Sequence, residues 1–543
     1  QADQQAQAPM AMVGMKGRGA CCVEWRRCSK DRGHAIWNQA VPFKVALLVA
    51  SWLWLQPGRP EQPRAVFCLQ TKGCRQSRMF RKADSHAFGR LCWPRGAHPS
   101  RYAVPPHVAR HSSSEIAEVS DIKLSSPVRS GLNLLKALLG SGNLALPSAI
   151  AAFSGSRKAV VPAICFAMLF NILSAYGFVL ISRLCEATKT NSYQDAWSSA
   201  ISPGSSWMLA TAVLGKTWLA CVSYLMIVGD CASMVLLPMG APALLAGRGS
   251  LIIGLTLFVL LPLCCLKSLA PLAKFSVIGI MSSFYVLLIV VVRCISGSYV
   301  AGPLLAAAPH TPKFIPFTGS ALMTAATPAS SVLIATLAYA YTCHYSAPQF
   351  YCELEPDSNG SRTARMRKVA YTAFLGSGVF FSMVMSCGFL TFGANSQGMI
   401  LNNYAVIDKL AVLARLALSM SMLASFPIVF SSFKAGLVRA MGSNAENFQQ
   451  SKPITLTVIL LLTIVPTALH LRDLGVLAAS SGAILSSFIV YIAPSLMAIC
   501  ARRRGLLESD TSRGALLERV FQCTLVPSGV VLAIVGAVVS LSN

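Results

Sequence analysis

From Arg129 to its end the chain is a succession of apolar runs close to 20 residues long, each bounded by charges, Pro or Gly. A helix rises about 1.5 Å per residue, so such a run spans the roughly 30 Å of a bilayer's hydrocarbon. The runs are Gly131–Phe153, Ala159–Leu184, Ser206–Gly229, Leu251–Leu266, Phe275–Ile295, Ser330–Phe350, Val369–Phe392, Leu410–Phe433, Ile454–Leu471, Leu474–Cys500 and Leu525–Leu541. They predict an all-α integral membrane protein with eleven transmembrane helices. Composition agrees: 54% of the 543 residues are hydrophobic and 12% charged, against about 25% charged in a soluble globular domain. A soluble enzyme is excluded. The 18 cysteines form no CxxC pair and point to neither a zinc site nor a disulfide scaffold.

The formal charge of +26 falls in two equal parts. Residues 1–114 hold 18 Lys+Arg against 5 Asp+Glu, and the remainder holds 28 against 15. The first part is Arg-rich and acid-poor, with little apolar periodicity, so it reads as a disordered basic leader. Its apolar run Val45–Leu55 is too short to cross a bilayer but matches the hydrophobic region of a signal sequence, and Arg75–Arg110 resembles a transit peptide. Together they suggest a bipartite targeting leader; an extended tail or a mis-joined reading frame is the other reading. Residues 115–129 form a flank, and 130–543 the membrane domain. With residue 129 inside, the inner segments hold 18 Lys+Arg and the outer ones 7. This predicts a cytoplasmic flank. The sequon Asn359-Gly360-Ser361 then lies inside, and the Ala-, Pro- and Gly-rich stretch Ser296–Ala329 is an external loop or partial lid.

Two runs are poor recipes for continuous helices. The first contains Gly140-Ser141-Gly142-Asn143 and then Pro147; the sixth contains Tyr339-Ala340-Tyr341-Thr342-Cys343-His344 and then Pro348. Glycine loosens the backbone and proline removes a donor, and freed backbone groups at membrane depth are tolerated around a cavity or ligand. Small residues at a helix-packing face are the blander reading of the first segment. Interrupted helices heading successive five-helix units point to an inverted-repeat transporter with its site between them at the midplane.

Several ordered motifs carry a resemblance. Asn133-x-x-Lys136-x-x-x-Gly140-Ser141-Gly142-x-Leu144-x-Leu146-Pro147, Ser223-Tyr224-Leu225 with Asp230, Cys343-His344 before Pro348, Tyr351-Cys352-Glu353-Leu354 and Arg365-Met366 together resemble the amino acid/auxin permease superfamily, most closely its sodium-coupled neutral and vacuolar amino acid transporters. The resemblance covers about Ser130 to Cys500. It implies a LeuT-type 5+5 inverted repeat plus one helix, with helices 1 and 6 broken. It also implies a secondary active transporter, a symporter of neutral L-amino acids working by alternating access, in a plasma, vacuolar or plastid membrane. Two features depart from the sodium-coupled members. Lys136 stands where they place an ion-binding Asn, as in proton-coupled relatives, and Ser296–Ala329 lacks their paired loop cysteines.

The expected substrate-binding set is Gly140, Ser141, Gly142, Asn143, Tyr224, Ala338 and Tyr341, with Tyr341 as an aromatic wall. Gly142 is expected to be small so that ligand can approach the main chain. The ion-coupling set is Lys136, Ser421 and Ser425, protons being favoured over sodium because an ammonium would fill the sodium position; snorkelling to the inner interface is the other reading of Lys136. Ser421 and Ser425 lie on the eighth helix, where LeuT-type carriers complete a sodium site, although bonding back to their own helix is the commoner use. His344 is a pH-sensing candidate or a hydrogen-bonded core histidine. Lys216 and Asp230 call for interhelical partners or solvent, and Arg415 for a structural role reaching the outer interface.

The expected partners are therefore an amino acid, H+ or Na+, and the lipid bilayer, with no cofactor, metal or nucleic acid. An intramembrane enzyme would need a nucleophile–base pair, paired carboxylates or HExxH-like spacing, and a channel would need pore loops or charged rings. The sequence has none of these. A membrane amino-acid sensor that binds without transporting is the remaining alternative.

Overall fold

Hydrocarbon-length apolar runs hydrogen-bond within themselves because lipid offers no partners, and the computed structural model of the chain has that character. It describes residues 124–266, 276–316, 327–357, 360–507 and 512–542. The leader reading of residues 1–114, and part of the sequon at Asn359, lie outside the described residues. Among them regular structure is helical, with two isolated β-bridges.

In chain order the helices that matter are α1 (Pro127–Leu138), α2 (Leu146–Phe153), α3 (Val160–Thr188), α4 (Tyr193–Ala200), α5 (Ser206–Leu236), α6 (Arg248–Leu255), α7 (Ser276–Ser296), α8 (Ser330–Ala340), α9 (Ala347–Glu353), α10 (Arg362–Phe392), α11 (Lys409–Met441), α12 (Pro453–His470), α13 (Leu474–Ser481), α14 (Ala493–Arg503) and α15 (Arg513–Ser542). Among the described residues eight helices are long and apolar enough to cross a membrane. They become nine if the bent pair Pro127–Leu138 and Ser141–Phe153 is one span. The chain is thus an all-helical, multi-pass membrane protein. The fourth and sixth expected runs are present in shorter pieces. The fourth is an apolar helix over Arg248–Cys264 with a π-helical turn at Thr256–Leu260, and the sixth is α8, a break, and α9.

Observed helices often run past the apolar stretch that announces them. The last begins at Arg513, twelve residues before Leu525, because charged side chains end hydrocarbon burial without ending backbone hydrogen bonding. Real stops carry local signals. Asp408 caps α11 by accepting from the Leu410 amide, Asp473 caps α13 through the Gly475 and Val476 amides, and Gly393 ends α10 at φ +60°.

α5 packs along α11, and α10 along α3. The run from α13 to α14 passes through two π-helical segments, Gly482–Ser486 and Phe488–Ile492, and the first packs against α8 and α5. Gly482 has to be glycine: a Cβ there would lie 1.8 Å from the Ala335 carbonyl oxygen. The segment just before α1 joins the end of the second broken helix, where the Ser125 amide donates to the Glu353 carbonyl and the Glu355 amide to that of Ser125.

Two ion pairs brace the loops around Asp230 and Asp408. Arg248 donates to Asp230 at 2.6 Å and to the Leu471 carbonyl at 2.9 Å. Arg293 grips Asp408 at 2.5 and 2.9 Å. Tyr299 also donates to Asp408 at 3.0 Å and accepts from the Ala405 amide; burial pushes its phenol well up, so it stays a donor. Arg415 is fully buried and donates to the Leu401 and Tyr404 carbonyls at 2.8 and 2.6 Å. The loop before α11 folds over it and supplies these carbonyls in place of water, which gives it a structural role. In the stretch 296–316 the Lys313 amide donates to the Phe392 carbonyl and the Ile315 amide to that of Gly155, so this loop lies against two others.

Candidate functional site between two interrupted helices

The first interruption separates α1 from α2. The backbone leaves the helix at Leu139 and Gly140, turns through a 3₁₀ segment at Ser141–Ala145, and continues at 42° to its former course. Ser141, Gly142, Asn143, Leu144 and Ala145 are all buried there. The second separates α8 from α9. Tyr341, Thr342 and Cys343 leave the helix, and His344–Ser346 form one 3₁₀ turn before α9. Proline at the second helical position of α2 and of α9 is tolerated because early amides there have no intrahelical partner.

The two interruptions touch. A Cβ on Gly142 would lie 2.8 Å from Ala340 Cα and 3.0 Å from Tyr339 Cδ1. A single hydroxyl cluster joins them to α5. Ser141 Oγ is 2.9 Å from Ser223 Oγ and 3.3 Å from the Tyr339 hydroxyl, which donates in turn to Ser223 Oγ at 3.3 Å. Tyr224, next in sequence, brings its hydroxyl to 3.9 Å from the Cβ position of Gly140. Ser141, Gly142 and Tyr224 are therefore assembled at this junction, and Asn143 and Gly140 lie on the same turn, whereas Ala338 packs with Val490 and Tyr491.

Tyr341 is not. Its hydroxyl donates to the Ala167 carbonyl at 3.1 Å, and its ring packs against Phe381 and Phe374 with centroids 5.1 and 6.3 Å away. Tyr339, not Tyr341, turns its ring to this junction. Residues two apart on a helix point about 200° apart, so when one tyrosine faces α1 and α5 the other faces α3 and α10. Gly142 also differs from expectation: its missing side chain is filled by Ala340, so close packing of the two interruptions, rather than room for a ligand, requires glycine in this conformation.

Lys216 of α5 is buried, with Nζ 3.4 Å from the Tyr339 carbonyl oxygen and 3.2 Å from the centre of the Tyr339 ring. Among the described residues no carboxylate pairs with it. Two buried hydroxyls without partners lie at the end of α13 and in the π-helical segment that follows it, Ser481 and Ser486. A Cβ on Gly482 would lie 3.2 Å from Tyr339 Cβ, and one on Gly215 would lie 3.2 Å from a Leu485 methyl carbon.

Lys136 and Ser421 flank Gly279 of α7: a Cβ there would lie 3.1 Å from Ser421 Oγ and 3.4 Å from Lys136 Cε. The half-buried Ser425 lies one turn further along α11. His344 is fully buried, and its Nε2 lies 2.9 Å from the Ser174 carbonyl oxygen, edge-on to Phe178 and Phe374, while Nδ1 has no partner. That is the surrounding of a core histidine. A second ring proton would be an unpaired donor among phenyl rings.

Sequence reasoning missed Tyr339, Ser223 as a member of the cluster, and Lys216 as its neighbour. Ser223 stands inside a family-like motif, and the phase of α8 distinguishes Tyr339 from Tyr341. Nothing local joins Lys216 to a residue 123 positions away.

The family described as transmembrane amino acid transporter protein matches residues 123–542. The human sodium-coupled neutral amino acid transporter 7 is 25% identical over 421 residues, covering 74% of this chain and 84% of its own. Vacuolar amino acid transporter 5 of Schizosaccharomyces pombe is 25% identical over 368 residues, covering 67% and 81%. Among solved structures, MhsT in complex with L-phenylalanine aligns with a TM-score of 0.45 and 15% identity, covering 76% of this chain and 99% of the other.

Proposed function

Since the chain belongs to the transmembrane amino acid transporter protein family, we propose that it is a secondary active transporter of neutral L-amino acids that binds its substrate between the two interrupted helices. The observation that carries this is the contact of the two interruptions at Gly142 and Ala340, beneath one hydroxyl cluster. An amino acid zwitterion needs donors for its carboxylate and acceptors for its ammonium. Interrupted helices offer freed N–H and C=O groups for both without a charged side chain. The junction is closed here, so substrate enters a conformation in which the interruptions have parted, and closure around it favours the occluded state by differential affinity.

The architecture in this proposal is eleven spans, a LeuT-type 5+5 inverted repeat plus one helix, with Arg248–Cys264 and the pair α8–α9 as the two shorter crossings and the flank at 115–129 cytoplasmic. Residues 1–114 serve addressing only. Coupling is to protons: Lys136 reaches the face of α7 that Ser421 also reaches, with Ser425 one turn away, and a fixed ammonium there opposes a sodium ion. Sodium is the second reading, favoured by the name of the human relative.

Uptake of radiolabelled amino acids by purified protein in liposomes tests both. Uptake driven by an inward proton gradient without sodium is expected. Binding without uptake under any gradient would make the protein a sensor, and strict sodium dependence indifferent to pH would overturn the reading of Lys136.

A further inference from the structure

We propose that Lys216 is a built-in stand-in for the ammonium of the substrate: with the site empty its Nζ occupies the acceptor at the end of α8 that a bound amino acid takes over. This rests on the reading that the amino acid binds between the two interruptions. A helix that ends in mid-membrane leaves its last carbonyls needing donors, and its dipole favours positive charge there. At α8 the Leu337 carbonyl accepts from the Tyr341 amide at 2.9 Å, and that of Ala338 from the Thr342 hydroxyl at 2.5 Å. The Tyr339 carbonyl has the Thr342 amide at 3.3 Å and Lys216 Nζ at 3.4 Å, two long bonds. It is a weakly bonded acceptor on this helix end that another charge can claim.

The lysine is held there by an unusual set of groups. It has one carbonyl and the face of the Tyr339 ring, and no carboxylate among the described residues. A buried ammonium without a counter-charge is costly, and a cation–π contact returns only part of that cost. A position so weakly compensated is one the ammonium can leave. The α-ammonium of an amino acid arriving at Ser141 and Tyr339 carries the same charge, needs the same acceptor and repels Lys216. The unpartnered hydroxyls of Ser481, the last residue of α13, and Ser486, in the π-helical segment after it, lie on elements that both pack against α5 and α8, and they offer the displaced lysine acceptors. Binding and the position of Lys216 are then mutually exclusive, so each amino acid bound must first expel the protein's own cation.

Competition with an internal cation lowers apparent affinity by the fraction of time the cation holds the site. The test measures equilibrium binding of radiolabelled L-alanine, L-glutamine and L-phenylalanine to the purified full-length chain, as wild type, Lys216→Met, Lys216→Gln and Lys216→Arg. The Met and Gln variants are expected to bind the preferred amino acid at least about tenfold more tightly than wild type, and the Arg variant not to. A lysine that only supports the fold would give unchanged or weaker binding in folded Met and Gln variants, and that result overturns the inference. A second measurement needs no variant. A deaminated analogue such as propionate or 3-phenylpropionate leaves Lys216 in place, so wild type should bind it within about tenfold of the matching amino acid. A larger preference for the amino acid overturns the inference even if the neutral variants fail to fold. If folded wild type binds none of the three amino acids, the proposed transport function fails first and this inference falls with it.

Discussion

At the first interruption the chain turns using residues with little or no side chain: Gly140, Ser141 and Gly142 let α1 and α2 meet at 42° and let Ala340 rest on the main chain. At the second, the turn carries Tyr341, Thr342, Cys343 and His344, all buried, and each is held by another element or by the turn itself. α3 receives the Tyr341 hydroxyl and the His344 ring, and α5 sends Lys216 to the Tyr339 carbonyl. One break therefore depends on space and the other on partners. Steric conflict at the first should be costly and general, whereas loss of a partner at the second should be smaller and specific to the group removed.

The largest effect is expected from Gly142→Val. Even the first carbon of a side chain meets Ala340 Cα at 2.8 Å, and overpacking of this kind costs about 1–3 kcal/mol or more. Expression, thermal stability in detergent and uptake should fall together; a stable Gly142→Val protein with normal uptake would show that the two interruptions need not touch. Lys136→Asn comes next. The fold should survive, since the side chain is only half-buried, while proton-driven uptake is lost or replaced by sodium dependence; liposomes with imposed pH or sodium gradients read this directly.

Removing one hydroxyl distinguishes the two tyrosines. Tyr339→Phe breaks the cluster with Ser141 and Ser223 and should weaken amino acid binding by about fivefold, near 1 kcal/mol. Tyr341→Phe loses only a bond to the Ala167 carbonyl and should lower thermal stability by a similar energy with affinity unchanged. The reverse pattern would move the site to the α3 side of α8. The smallest effect belongs to Gly140→Ala, whose Cβ would meet nothing closer than the Tyr224 hydroxyl at 3.9 Å. Retained uptake there beside failure of Gly142→Val would place the steric demand at one residue.

The same contrast explains what could be read from the residues in order. The first interruption was legible because its cause is local: glycine, asparagine and proline within eight residues say that a helix stops. The existence of the second was legible for the same reason, but not its facing. Choosing Tyr339 over Tyr341 requires the rotational phase of α8, which an eleven-residue apolar helix does not reveal when every side is buried. Lys216 and Arg415 were visible as charges inside spans, yet their partners are carbonyls, and a carbonyl leaves no mark in a sequence. Helix ends such as that of α15 at Arg513 were misplaced because hydropathy reports the hydrocarbon boundary, not the hydrogen-bond ladder.

The central claim is that one amino acid is held by both interruptions at once. Amide hydrogen exchange, followed by mass spectrometry on the full-length protein with and without a saturating amino acid that it transports, tests this most directly. Peptides covering residues 139–146 and 338–346 should gain protection together, with little change in the Asp408–Arg415 region. Protection of one interruption without the other, or of neither while substrate is demonstrably bound, would contradict the account.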